Sequence, residues 1–272
     1  MPYTPLQLAE AYIQTGELHD ALDALDQQLA AHPQDDVALR LRAAVLLRLP
    51  GPRNLQDALA TLDQIAKPTT QDDIQRSIIL ERDGDLYGAL AIMRAAHQAE
   101  PETGRITERL LKLLIAGGAV DEALAIIRQQ PRTWRWLQWE GDLLVLTEDD
   151  RMATARYGLA LAQLQQEHDI EQDRYLAPVV ARLLLARAHA YRRLDELASA
   201  EEHYEQAAAI IPDDPAIPFN RGLMFALQGD PDTATELCRD AFADAPPALR
   251  EEMLQEIRRD PRLQVLADAL GK

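Results

Sequence analysis

Six histidines, one cysteine and several runs of carboxylates are the residues that could carry chemistry in this chain of 272. His19, His32, His97, His168, His189 and His203 stand apart, no two of them three or four residues distant, so no helical turn presents two imidazoles to a metal ion. The acidic runs Asp35-Asp36, Asp72-Asp73, Glu148-Asp149-Asp150 and Asp213-Asp214 mostly precede or connect predicted helices. There a carboxylate accepts from exposed backbone N–H groups and favours the helix dipole, so capping is the expected role. The spacing of a calcium loop is absent. Cys238 has no second cysteine to pair with and falls on the buried face of a predicted helix, where it packs. Phosphate-binding glycine loops, dinucleotide turns, nucleophile elbows and H-E-x-x-H are all missing. The sequence therefore predicts no catalytic residue, no metal ligand and no cofactor.

The elements that position these side chains are helices. Hydrophobic residues make up 47% of the chain, Ala and Leu dominate, and glycine (12) and aromatic residues (5%) are scarce, which suits helix and suits strand poorly. The net charge of -17 repels polyanions and argues against nucleic acid as a partner. No run of about 18 apolar residues is present and the amino terminus lacks the basic-then-apolar pattern of a leader, so no direct membrane insertion is expected and the cytoplasm is the expected compartment. The basic residues are nearly all arginine, Lys67, Lys112 and Lys272 being the lysines.

One spacing recurs seven times. A small residue is followed three positions on by a bulky one, twelve on by alanine, sixteen on by another bulky residue, and often by proline twelve after the alanine. The best copies are Ala9, Tyr12, Ala21, Leu25, Pro33; Ser77, Leu80, Ala89, Met93, Pro101; Ala188, Tyr191, Ala200, Tyr204, Pro212; and Gly222, Phe225, Ala234, Cys238, Pro246. Three copies depart from it: Ala43, Leu46, Ala58, Leu62; Leu111, Leu114, Ala123, Ile127; and Gly141, Leu144, Ala153, Tyr157. Successive alanines lie 37, 31, 34, 30, 47 and 34 residues apart, which predicts irregularity at residues 50–52 and 160–182, with longer helices in the second region. Small residues at such positions let two antiparallel helices cross closely, bulky ones fill the gaps, and proline ends the second helix. Turns with glycine at Gly16, Gly84, Gly118 and Gly229 join the paired helices.

This pattern resembles the tetratricopeptide repeat family over nearly the whole chain. The resemblance implies an all-α, right-handed superhelical solenoid of about seven antiparallel helix hairpins over residues 1–246, closed by C-terminal capping helices at 247–272. In proteins similar to this one, the first helices of the hairpins line a concave groove that holds a protein or peptide client. At about 100° per residue, positions −6, −3, +1, +4 and +5 from each small residue share one face of the first helix. Nine basic residues, among them Arg40, Arg105, Lys112, Arg135, Arg182 and Arg192, fall on that face against four acidic ones, and Gln138 and His189 join them. A basic groove in an acidic body predicts a client segment rich in carboxylates, which arginine can hold with two parallel hydrogen bonds. The family's carboxylate clamp is not matched: the +1 positions (Glu10, Ala44, Ile78, Lys112, Asp142, His189, Leu223) contain no asparagine and the −3 positions no lysine, which argues against a chaperone-tail cochaperone.

Trp134 and Trp139 project to the groove's borders as aromatic anchors, with packing between repeats as the competing fate. The last repeat's face, with Phe219, Leu223 and Leu227, is wholly apolar and needs cover from the C-terminal tail or from a second subunit. The functional expectation is a non-enzymatic adaptor or assembly scaffold. Its alternative is a homo-oligomeric structural component or chaperone-like holdase that uses apolar end faces, which leaves self-association open.

Overall fold

The computed structural model describes residues 3–167 and 175–271, which form two compact units divided between residues 123 and 124. In the first, α1 (Pro5–Thr15) pairs with α2 (Leu18–Ala31), α3 (Asp36–Arg48) with α4 (Pro52–Leu62), and α5 (Thr70–Arg82) with α6 (Leu86–Ala99), and α7 (Gly104–Ala116) follows. The eighth helix, α8 (Val120–Ile127), straddles the division. In the second, α9 (Trp134–Leu146) pairs with α10 (Asp150–Glu167), α11 (Ala177–Arg193) with α12 (Leu197–Ile210), and α13 (Ala216–Leu227) with α14 (Pro231–Asp244). The chain then adds α15 (Pro247–Arg259), a 3-10 turn at Pro261–Leu263 and α16 (Gln264–Leu270). No strand occurs among the described residues. At 18 and 17 residues, α10 and α11 exceed the 11–14 of the other paired helices outside the α7–α8 hairpin, so part of the 47-residue step lengthens helices. His168 and the rest of 168–174 lie outside the described residues.

Short-range signals set the helix ends. Thr4 and Gln7 form a reciprocal capping box, Asp35 accepts from the backbone N–H groups of Val37 and Ala38, and Asp214 accepts from that of Ala216. Gly16 and Gly229 take φ of 85° and 84° in hairpin turns. At the equivalent turns of the fifth and sixth hairpins that left-handed conformation belongs to Glu148 (φ 61°) and Asp195 (φ 58°), side chains that pay a steric cost there.

The repeat's small positions, one of them filled by Leu111 in a departing copy, sit where the paired helices cross. Ala9, Ala43, Ser77, Leu111, Gly141, Ala188 and Gly222 on the first helices are all buried, as are Ala21, Ala58, Ala89, Ala123, Ala153, Ala200 and Ala234 on the second. The approach is tightest at the two glycines: a methyl group on Gly141 would lie 2.5 Å from Tyr157 Cε1, and one on Gly222 would lie 2.6 Å from Cys238 Sγ. Cys238 is fully buried, and burial pushes its thiol up to about 12, so it stays protonated and packs.

Within each unit, arginines bind successive hairpins. Within the first unit, Arg42 of α3 reaches Asp26 of α2 (2.8 Å), Arg76 of α5 donates to the Leu62 carbonyl of α4 (2.7 Å), and Arg109 of α7 meets Glu81 of α5 (2.8 Å). Arg94 of α6 grips Glu122 with two parallel hydrogen bonds of 2.8 and 2.7 Å. Within the second, Arg193 of α11 pairs with the buried Asp150 of α10 (3.0 Å), and Arg221 of α13 pairs with Glu201 of α12. The planar guanidinium spans a seam with several fixed donors, which an ammonium cannot do. This gives the chain's preference for arginine over lysine a structural use.

The tail closes the second unit. Met253 and Ile257 of α15, Leu263 of the 3-10 turn and Leu266 of α16 share one buried cluster with Phe219, Leu223, Ala234 and Cys238, and Leu227 packs against it.

Candidate protein-binding face

In the first unit the projected face of α1, α3, α5 and α7 is open. None of its twenty positions is buried, while the intervening positions Ala9, Leu39, Ala43, Ser77, Ile79, Leu110 and Leu111 are. Ile13, Leu47, Ile74, Ile78 and Ile115 form a half-buried apolar floor. Arg48, Arg105 and Lys112 are exposed and make no ion pair among the described residues. Seven residues separate Arg105 from Lys112, which places them two turns apart on one side of α7 with Glu108 between.

Arg40 is committed elsewhere. Its Nε and Nη2 donate to the Asp72 carboxylate at 2.9 and 3.0 Å, and Nη2 also donates to the Lys67 carbonyl at 2.9 Å. Asp72 is completely buried and also accepts from the Thr69 backbone N–H (2.7 Å) and hydroxyl (2.9 Å). Burial alone would raise its pKa, but these donors outweigh burial and hold the carboxyl below its ordinary value. Arg82 likewise gives a donor to the Leu47 carbonyl at 2.7 Å.

The other projected residues belong to the second unit. Arg182 Nη2 donates to Gln138 Oε1 at 3.3 Å, and the Arg135 guanidinium lies 5.5 Å from the Trp134 ring centre. Trp134, Trp136 and Trp139 are each half-buried. Asp142 accepts from the buried Tyr157 hydroxyl at 2.8 Å, and burial raises the pKa of both groups. His189 lies 3.3 Å from Arg192 through Nδ1, and burial, then the Arg192 charge, pushes its pKa down to about 4, so the ring is neutral at pH 7. Arg192 is buried and pairs with Glu256 of α15 at 2.7 Å. Phe219 and Leu223, at 2% and 0% exposure, lie under the tail. The first-helix face is thus open in the first unit, while in the second the tail covers Arg192, Phe219 and Leu223 and leaves Arg182 and Arg193 exposed.

Sequence reasoning missed Glu256 as the partner of Arg192, since 64 residues separate them and only the folded tail joins them. It also missed Arg128, Arg132 and Arg156, which converge on the buried Glu140 of α9 at 4.0, 3.0 and 2.7 Å. A signal was available: residues 128–139 hold three arginines, all three tryptophans of the chain and no acid. Among the described residues no group of three His, Cys, Asp or Glu side chains is placed to hold a metal ion, and no helix is long and apolar enough to cross a membrane.

Residues 6–73 and 185–248 match the family model for the tetratricopeptide repeat. The chain carries tetratricopeptide repeats in these two regions. Among solved structures this repeat protein is similar to a tetratricopeptide repeat protein from Parabacteroides merdae, at 14% identity and a TM-score of 0.64 over 92% of this chain and 96% of that one. It is also similar to the C-terminal part of a tetratricopeptide repeat-containing protein from Cytophaga hutchinsonii, at 14% identity and 0.64 over 90% and 98%. PilW, described as a widely conserved type IV pilus biogenesis factor, aligns at 15% identity and 0.56 over 76% and 92%. At these identities the likeness concerns the fold of the repeats. No curated protein matches the sequence.

Proposed function

We propose that this tetratricopeptide repeat protein is a non-enzymatic adaptor or assembly scaffold that binds an acidic client segment on the first-helix face of its first unit. One observation carries the reading: the exposed cations Arg48, Arg105 and Lys112, which make no ion pair among the described residues, share the first-helix face with half-buried Leu47, Ile74, Ile78 and Ile115 in a protein of net charge -17. An extended segment that alternates apolar and acidic side chains would bury its apolar groups on the floor and set carboxylates against the cations, which supply register and specificity. The alternative, a homo-oligomeric component or chaperone-like holdase that uses apolar end faces, is less favoured at the last repeat, where Phe219 and Leu223 are already covered by the tail.

The test is capture of partners from the native cell extract with the wild-type protein beside an Arg105→Glu/Lys112→Glu variant, followed by measurement of the purified partner's affinity for both. Two reversed charges at a rim should weaken binding by about tenfold, mainly through faster dissociation. Equal affinities would remove the first-unit face from the binding site.

A further inference from the structure

We propose a second interaction surface, separate from the first-helix face, where Arg128, Arg132 and Arg156 surround Glu140: a docking patch for a carboxylate-rich, extended segment of a partner protein. Three guanidinium groups meet one carboxylate there. Glu140 is 4% exposed, its Oε2 lies 3.0 and 2.7 Å from Arg132 and Arg156 and its Oε1 4.0 Å from Arg128, and no other acid pairs with these three arginines among the described residues, which leaves an excess of two positive charges there. Arg128 and Arg132 are 60% and 55% exposed, so their remaining N–H donors face solvent rather than the core. Each guanidinium carries five donors, and a single carboxylate cannot use them all.

Trp136 lies one helical turn before Glu140 on α9 and is half-buried, which puts an aromatic side chain on the same side of that helix as the carboxylate. Arginine and tryptophan next to each other are the side chains most often found to anchor protein partners. The patch is built from both ends of one connection: Arg128 follows α8, Arg132 precedes α9, and Arg156 comes from α10. The buried carboxylate holds Arg132 and Arg156 at 3.0 and 2.7 Å, so a ligand would meet Arg132 already positioned, with Arg128 close by.

Charge decides among occupants. A body of net charge -17 repels an anionic bilayer and nucleic acid, and two such bodies repel each other. A thin acidic segment can reach the patch without bringing a large like-charged surface close, because salt screens charges beyond about 8 Å at physiological ionic strength. Carboxylates on that segment would take the solvent-facing donors of Arg128 and Arg132.

The chain reports on its own patch, since its three tryptophans all lie in residues 134–139. The experiment titrates the full chain with a twelve-residue peptide of three Glu-Glu-Asp-Leu repeats and follows tryptophan emission. A saturable change that weakens with added sodium chloride is expected, and its midpoint should rise by about tenfold in Arg128→Glu/Arg132→Glu, the size of two reversed rim charges. Arg128→Gln/Arg132→Gln, which places no new charge beside Glu140, should show a smaller rise and keep the wild-type circular dichroism spectrum. Arg105→Glu/Lys112→Glu should titrate as wild type, which separates this surface from the first-helix face. No saturable change in the wild type, or equal midpoints in all variants, would overturn the proposal. So would a response to phosphatidylserine vesicles without one to peptide, or a concentration-dependent rise in mass abolished by the Arg128 and Arg132 changes, which would assign the patch to a bilayer or to a second copy.

Discussion

Gly141→Ala sets two physical effects against each other, and the structure decides the sign. In an exposed helix interior alanine is favoured over glycine by about 1 kcal/mol, so propensity alone makes the variant more stable. Gly141 lies at the crossing of α9 and α10, however, and the new methyl group would sit 2.5 Å from Tyr157 Cε1 and 2.8 Å from Cδ1. The ring cannot simply slide away, because its hydroxyl is held by Asp142 at 2.8 Å and the residue is 2% exposed. Overpacking costs about 1–3 kcal/mol, and losing a hydrogen bond to a charged group adds about 1.5–3 kcal/mol if the ring does move. After the propensity gain, a net loss of about 2 kcal/mol follows, or ~4–8 °C in Tm for a protein of this size. Urea and thermal unfolding followed by circular dichroism measure it. Gly158→Ala is the internal control: its nearest obstacle is the guanidinium end of Arg187 at 3.0 Å, which can yield, so that variant should be unchanged or up to about 1 kcal/mol more stable. If Gly141→Ala is as stable as Gly158→Ala, close helix crossing is not what the small residue provides.

Two further expectations concern charge and backbone. Asp72→Asn should destabilise by about 3 kcal/mol at pH 7, the lower end for breaking a buried pair, because Arg40 keeps 30% exposure. The folded pKa of Asp72 is depressed, so its contribution is full above the unfolded value near 4 and is lost as pH falls through the folded value; urea midpoints of wild type and variant should therefore converge in acid. Glu148→Gly should stabilise by about 0.5–1 kcal/mol by relieving the left-handed conformation at φ 61°, and an unchanged midpoint would mean that the turn carries no strain.

The phase of the repeat was legible in the sequence because it depends on size alone. Ala9, Ser77, Gly222 and the alanines of the second helices are small wherever two backbones approach, and that requirement leaves a mark at a fixed spacing. The ion pairs were harder to read because each needs the stack as well as the hairpin. Yet three of them span about one repeat, Arg40 to Asp72 at 32 residues and Arg94 to Glu122 and Arg109 to Glu81 at 28 each, whereas Arg42 to Asp26 spans 16 and Arg193 to Asp150 spans 43. In a repeat array the residue one repeat away is a spatial neighbour, so opposite charges at that distance were a usable signal. The Arg192–Glu256 pair had none, since the tail leaves the repeat pattern and its path is set by the apolar face it covers.

Charge sorting in this protein is therefore better traced by which cations remain unpaired than by counting the residues of one helix face. Arg40, Arg192 and Arg193 project to that face in the sequence, but each is used up by Asp72, Glu256 or Asp150. An arginine bound in such a pair adds rigidity and offers little to a ligand, because breaking the pair would strand a buried charge, Asp72, Arg192 or Asp150. Cations left over from this stapling have no such cost to overcome. Arg48, Arg105 and Lys112 meet that condition by having no partner among the described residues, and Arg128 and Arg132 meet it by sharing one partner with Arg156. The same excess of arginine that holds successive hairpins together thus determines, by where pairing stops, which surfaces can attract an acidic partner.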